Sequence, residues 1–398
     1  MLSPYAAVPC FLIAALLTAS ATAAASETDH RPARHGSRAE QQAPQPHPPQ
    51  RPWTGVAPLT DRGACPADAA PGRTMNLLTI DGGGVRGIIP ASVLAYVEAR
   101  AGRPVADLFD LVAGASTGSL IAVALSKPGD DGRPSLAARQ VAESYMQDVQ
   151  RLFPSGVMLD IESTDGLLRP KFSAQALEAL LQARLADLHL SELIGHVLVP
   201  TYDLRTNQAR IFSSVRARQD PAEDFRVREM LRASTAAPSI YPPKSLTSRD
   251  GATALLGVDA SLFVNNPAEL AEAEARALWP GQSLTLLSLG TGVQSTPVVD
   301  LASDFGLVDW IPGLLYVVAY GQESMATLET VRQLNRDGAP RDRYELRLNA
   351  VLSPRSVSQF DASPEHMDLL LAHATALIED NRQALDGIVH RLLCAKGD

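Results

Sequence analysis

Cysteine is scarce in this chain: 398 residues contain three, Cys10, Cys65 and Cys394. None stands at a zinc-ligand spacing, so cysteine writes no metal site into the sequence. Positive charge is short as well, with 35 Lys and Arg against 44 Asp and Glu for a net charge of −9. No basic stripe appears, and nucleic acid is not an expected partner. No internal repeat is evident, and no interior apolar run reaches the length that spans a bilayer. What remains is an ordinary globular composition, 45% hydrophobic and 20% charged. It is long enough to bury a sizeable core as one large domain or two.

The N-terminus departs from that composition. Ala6 to Ala25 carries no charged side chain, Phe11 to Leu17 is wholly apolar, and Ala21-Thr-Ala23 or Ala23-Ala-Ala25 offers small residues for cleavage. Residues 1–25 therefore read as a secretory signal peptide, with the protein secreted or periplasmic. An uncleaved anchor is the alternative, and the short apolar run preceded by Pro9 argues against it. Cys10 comes before the apolar run, unlike a lipoprotein attachment site. Residues 26–74 read as a disordered linker rich in Pro, Gln and Ala, with almost nothing to bury. Its His30, His35 and His47 are read as incidental. Export would place Cys65 and Cys394 where a disulfide can form and tie the linker to the C-terminal helix. Two unrelated thiols are the other reading.

The expected domain runs from Met75 to Asp398 and is organised around two glycine-rich turns. Asn76 to Ile80 reads as a buried strand, Asp81-Gly-Gly-Gly-Val-Arg-Gly87 as a turn, and Ile88 to Arg100 as a helix. Leu108 to Ala113 reads as a second strand, Gly114-Ala-Ser-Thr-Gly118 as a second turn, and Leu120 to Leu125 as the next helix. Strand–turn–helix twice over predicts parallel neighbours in an α/β sheet, with both turns at the carboxyl ends where such sheets carry their sites. The second turn fits a nucleophile elbow. Small residues at Gly114, Ala115 and Gly118 would let the backbone crowd around an exposed Ser116. Gly82, Gly83 and Gly84 leave amides unshielded, able to point donors at an oxyanion. Arg86 would brace that loop, add positive potential, or form a structural ion pair. The same glycines fit a dinucleotide fingerprint. That reading fails because the second strand ends in Gly114-Ala-Ser116 rather than in an acidic residue, and Asp81 would repel a pyrophosphate.

At this point the sequence resembles the patatin-like phospholipases. That family pairs an Asp-Gly-Gly-Gly-x-Arg-Gly loop with a Gly-x-Ser-x-Gly elbow on the next strand, as Asp81–Gly87 and Gly114–Gly118 do here. Ala236-Ala-Pro238 with Pro242-Pro243, then Asp259, Asn265-Asn-Pro267 and Leu287-Ser-Leu-Gly-Thr-Gly292 follow in order. The resemblance covers 75–292 and implies a three-layer α/β sandwich with a central, mostly parallel sheet. It further implies lipid acyl hydrolysis by a Ser116–Asp259 dyad, with Gly82, Gly83, Gly84, Arg86 and Gly87 around the oxyanion. The substrate would be a phospholipid or another acyl lipid, met by peripheral contact with a lipid surface, and the chemistry needs no metal or cofactor. This chain has Ala260 where the family usually shows glycine, so the turn after Asp259 is expected to differ.

Beyond the elbow, Ser135 to Val149 and Ser173 to Leu188 read as helices, the second capped by Ser173, with a loop at Asp165 to Pro170 between them. His196 to Tyr202 and Ala209 to Phe212 read as adjacent strands, and Phe225 to Ala233 as a short helix. Leu255 to Asp259, Leu284 to Leu289 and Tyr344 to Leu348 read as further strands. Trp310 to Tyr320 reads as a buried helix or a lipid contact, and Glu365 to Leu393 as one long helical pattern. Two other function classes stay open. One is a Ser116–Asp259–His triad using His366 or His373, which are expected on a solvated helix face. The other is a lipid-binding module without catalysis.

Overall fold

The computed structural model describes residues 51–60, 63–153, 172–294 and 342–397, with single positions between 318 and 325. The expected signal peptide, the linker up to residue 50 with its histidines, the loop at 165–170 and most of 310–320 lie outside the described residues.

Strand β1 (Thr74–Ile80) is buried on both faces, the pattern of a strand covered by helices on either side. It pairs in parallel with β2 (Leu111–Gly114) on one edge and with β7 (Ser283–Leu289) on the other. Register brings Ile80 level with Gly114 and with Leu289. Three loops therefore leave the sheet side by side: the glycine-rich loop, the elbow, and Gly290-Thr-Gly292.

The remaining strands are β3 (His196–Asp203), β4 (Gln208–Ser213), β5 (Lys244–Thr247), β6 (Ala254–Asp259) and β9 (Arg343–Leu348), with β8 (Val293–Gln294) and β10 (Val351–Leu352) in a separate short pair. The large sheet has the order β5-β6-β3-β2-β1-β7-β9, with β4 also on β3. From β3 to β9 it is parallel, while β4, β5 and β6 join antiparallel. This is the expected mostly parallel central sheet. The antiparallel run of β6 against β3 brings Asp259 opposite Thr201.

Helices follow in chain order as α1 (Ile88–Ala101), α2 (Val105–Leu108), α3 (Thr117–Ser126), α4 (Ala138–Leu152), α5 (Ala174–Leu185), α6 (Ser214–Gln219), α7 (Val227–Ser234), α8 (Ala268–Leu278), α9 (Pro364–Asp380) and α10 (Arg382–Ala395). Alternation along the strands sorts them into two layers. Leu77, Leu111, Ala113, Leu198 and Leu286 face Ala268, Ala271 and Ala275 of α8, whose small side chains let the helix lie close. Leu78, Ile80, Val112, Val197 and Leu289 face the other way, into the larger core shared with α1, α3, α4, α9 and α10. Gly102 ends α1 with φ +65°, the left-handed cap that glycine adopts without penalty.

Three expectations are corrected. The linker was expected to run unstructured to Thr74, but from Arg51 onward the described chain packs on the domain. Trp53 is buried, Arg51 pairs with Glu143 at 2.6 Å, and Leu59 N–H donates to Arg100 O at 2.9 Å. One buried indole and a few anchors hold a segment whose composition alone reads as disordered. The second strand begins only at Leu111, because Val105 to Leu108 forms a helical turn. The long C-terminal helix is broken at Asn381 (φ −114°, ψ 16°), whose side-chain amide donates back to Leu377 O. Asparagine offers the backbone that local alternative to helix. Cys65 and Cys394 are joined in a disulfide, which settles the open pairing.

Candidate active site

The elbow is built by crowding. Ser116 stands between β2 and α3 with φ 48° and ψ −118°, a backbone state costly for any residue with a side chain. A Cβ on Gly114 would lie 2.2 Å from Gly118 O, and one on Gly118 would lie 2.1 Å from Ile80 O. Glycine is required at both, and the tight turn leaves Ser116 half-buried with its hydroxyl facing Asp259.

Asp259 ends β6 and is delivered by it. Its Oδ2 accepts from Ser116 Oγ at 2.5 Å. Its Oδ1 accepts from both the N–H and the Oγ of Ser261, each at 2.8 Å. Those two bonds fix the carboxyl plane and aim Oδ2 at the serine. Ala260 to Leu262 form a single 3-10 turn, and Ala260 keeps negative φ. Alanine therefore fits where the family pattern has glycine, and no distortion follows. Burial pushes the Asp259 carboxyl above the ordinary carboxylate range, while the Ser116 and Ser261 bonds pull it partly back. A raised carboxylate is a stronger base, closer to what proton abstraction near neutral pH needs.

The glycine-rich loop follows β1 directly. Asp81, wholly buried, accepts from both terminal nitrogens of Arg347 on β9, at 2.8 and 2.5 Å. Gly82 N–H is committed to Asn265 O at 3.1 Å, Val85 N–H to Gln359 O at 2.9 Å and Arg86 N–H to Gly83 O at 3.2 Å. Among the described residues no acceptor meets the N–H of Gly83 or of Gly84. A Cβ built on Gly82 would come 3.2 Å from Ser116 Cβ, so the loop lies against the elbow. Of the five expected oxyanion residues, Gly83 and Gly84 thus carry the open amides. Gly82 and Arg86 are structural, with Arg86 Nε also reaching Gly83 O at 3.4 Å. Gly87 lies beneath Tyr145 and Thr117. The Tyr145 hydroxyl donates to Gly84 O at 2.5 Å, and burial raises its phenol, keeping it protonated.

Among the described residues the histidines stand away from the Ser116–Asp259 pair. His366 is buried, contrary to the expected solvated face, with its ring nitrogens on Arg355 O and Ser358 O at 3.2 and 3.1 Å. His373 Nε2 meets Ser356 Oγ at 2.9 Å, His196 Nε2 meets Ser213 Oγ at 2.9 Å, and His189 faces Asp224 at 3.5 Å. His390 lies beside the Cys65–Cys394 disulfide.

Sequence reasoning missed Arg347, Tyr145 and the Thr291 hydroxyl, which donates to Gly82 O at 2.6 Å. Thr291 sits inside a motif that was visible. Arg347 and Tyr145 gave no signal, being one charge in a strand and one aromatic on a helix face.

Comparisons with known proteins point to one family. The family model described as Patatin-like phospholipase matches residues 78–272. Patatin-like protein 1 of Oryza sativa subsp. indica is 32% identical over 270 residues, 61% of this chain and 65% of that protein. The chain thus spans just under two thirds of that relative. Patatin-17 of Solanum cardiophyllum is 27% identical over 354 residues, 80% of this chain and 89% of that protein. Among solved structures, VipD from Legionella pneumophila aligns with a TM-score of 0.32 and 12% identity, over 77% of this chain and 67% of that one.

Proposed function

This chain carries a patatin-like phospholipase domain across residues 78–272, and on that footing we propose that it hydrolyses carboxylic esters of acyl lipids, phospholipids first, with Ser116 and Asp259 as a dyad. Ser116 Oγ attacks the ester carbonyl as Asp259 Oδ2 takes its proton. The amides of Gly83 and Gly84 receive the oxyanion of the tetrahedral intermediate. Asp259 returns the proton to the departing alcohol, leaving an acyl group on Ser116 Oγ. Water, deprotonated by Asp259, then adds to the acyl carbonyl; the intermediate collapses with Asp259 returning that proton to Ser116 Oγ, and the fatty acid is released.

The observation that carries this reading is the direct 2.5 Å bond from Ser116 Oγ to Asp259 Oδ2. In a triad an imidazole stands between the two, and here none does. The ring nitrogens of His366 and His373 are engaged with groups of the 353–358 segment instead. Ester hydrolysis on mixed phospholipid vesicles tests the assignment. Ser116→Ala and Asp259→Asn should each abolish turnover, the double variant should be no worse, and each of five single His→Ala variants should keep substantial activity. A well-folded His→Ala variant as inactive as Ser116→Ala would replace the dyad with a triad. Absence of labelling by a fluorophosphonate would instead favour a lipid-binding module.

We also propose export, on the uncharged N-terminus and on the disulfide, a bond typical of oxidising compartments. Exported protein should begin after Ala23 or Ala25, and a mature chain still beginning at Met1 would sink the idea.

A further inference from the structure

Two peptides of the glycine-rich loop are gripped by their carbonyls. A trans peptide is planar, with N–H and C=O on opposite sides, so whatever holds the oxygen also sets the direction of the next residue's N–H. The carbonyl of Gly83 is held by Arg86 N–H and Nε, which fixes Gly84 N–H. The carbonyl of Gly82 is held by the Thr291 hydroxyl at 2.6 Å, which fixes Gly83 N–H. Thr291 is buried, and it enters the site from the loop after β7, which register places beside the loop after β1. The fit is close, since a Cβ on Gly83 would lie 2.1 Å from Thr291 Oγ1. A hydrogen bond donated to an amide oxygen also polarises the attached N–H and strengthens it as a donor.

We propose that Thr291 is a positioning residue for ester hydrolysis: its hydroxyl aims and polarises the Gly83 amide toward the oxyanion. This rests on the acyl-hydrolase reading above. Thr291 touches no reacting atom, so its effect belongs to the transition state, where charge on the carbonyl oxygen is greatest, and not to ground-state binding.

Steady-state ester hydrolysis by Thr291→Val, Thr291→Ala and Thr291→Ser tests it, with thermal midpoints recorded for each. Valine keeps the shape and removes the donor, while Ala and Ser differ from each other only in the hydroxyl. Removing a whole oxyanion donor costs about 10²–10³ in kcat, so misaiming one should cost about 10- to 100-fold. KM should stay within about twofold. Thr291→Ser should recover most of kcat even if its midpoint falls. A Thr291→Val or Thr291→Ala enzyme with wild-type kcat overturns the proposal, as does a Thr291→Ser enzyme as slow as Thr291→Ala. If Thr291→Val does not fold, the Ala and Ser pair decides. The wild type separates the two levels of failure. If it neither hydrolyses esters nor labels with a fluorophosphonate, the functional reading falls and this inference falls with it. If it is active and the variants match it, only the role of Thr291 is lost.

Discussion

Asp259 is asked to be an anion in a place that resists anions. It is almost wholly buried, and its three donors are the hydroxyl of Ser116 and two groups of Ser261, with no cation among them. Its carboxyl is accordingly raised above the ordinary carboxylate range. Two consequences follow with definite sign. The proposed dyad requires the ionised form, so kcat/KM should fall on acidification through a limb lying above the usual carboxylate range, and a pH profile of ester hydrolysis would read it. For stability, a carboxyl whose folded pKa exceeds its unfolded value favours the fold while protonated. That contribution is present below the unfolded pKa and is lost as pH rises through the folded pKa. At neutral pH ionised Asp259 therefore costs stability. Asp259→Asn should be inactive yet unfold at a higher temperature than wild type at pH 7, with the gain shrinking toward pH 4. Equal midpoints at both pH values would contradict the raised pKa. At this scale the sequence singled out Ser116 by the small residues of its turn and Asp259 by its place in the ordered motifs of the family it resembles. It did not show what closes the neighbouring amides of Gly82 and Val85. That depends on Asn265 and Gln359 accepting from Gly82 and Val85, across separations no local pattern records.

Among the elements, the two strand–turn–helix units were legible because each is a local switch from an apolar run to glycines to helical spacing. Beyond them the neighbouring strands β3 and β4 were legible as a pair, and the rest of the pairing was not. The antiparallel course of β6 and the placing of β9 beside β7 depend on contacts between segments far apart in the chain. Strand β9 bears directly on the site. Its sequence Arg-Tyr-Glu-Leu-Arg-Leu looks half-exposed, yet Arg347 reaches across β7 to Asp81 and also contacts Ser288 Oγ at 3.0 Å. Breaking one side of a buried pair strands the other charge, at about 3–5 kcal/mol. Arg347→Met should lose about that much unfolding free energy at pH 7, measured by denaturant titration. Adding Asp81→Asn should restore a large part, because the stranded charge is then gone. If the double variant is no more stable than Arg347→Met, the pair is not what anchors the loop.

At the scale of the molecule, both ends of the described chain meet at one disulfide. Cys65 and Cys394 lie 329 positions apart, so the bond closes a ring around nearly the whole domain. Composition placed Cys65 in a featureless linker; the cysteine count offered Cys394 as its partner or two unrelated thiols, and the fold joins the two. Other contacts hold the C-terminal end: Arg391 to Asp68 at 2.8 Å, Lys396 to Asp110 at 2.5 Å, and the Arg391 guanidinium over the Tyr344 ring at 4.2 Å. Ion pairs this accessible contribute about 0–1 kcal/mol each, and salt weakens them. A crosslink acts differently, by narrowing the unfolded ensemble, and contributes about 2–4 kcal/mol with little dependence on salt. The fold should therefore survive reduction but stand on a lower margin. Unfolding of oxidised protein, of protein held in reductant, and of Cys65→Ser with Cys394→Ser should give one higher midpoint and two lower ones that coincide. The gap should persist in high salt, where the ion pairs are screened. If it vanishes there, the ion pairs and not the crosslink hold the N-terminal segment to α10; if all three midpoints agree at low salt, the disulfide contributes nothing to stability.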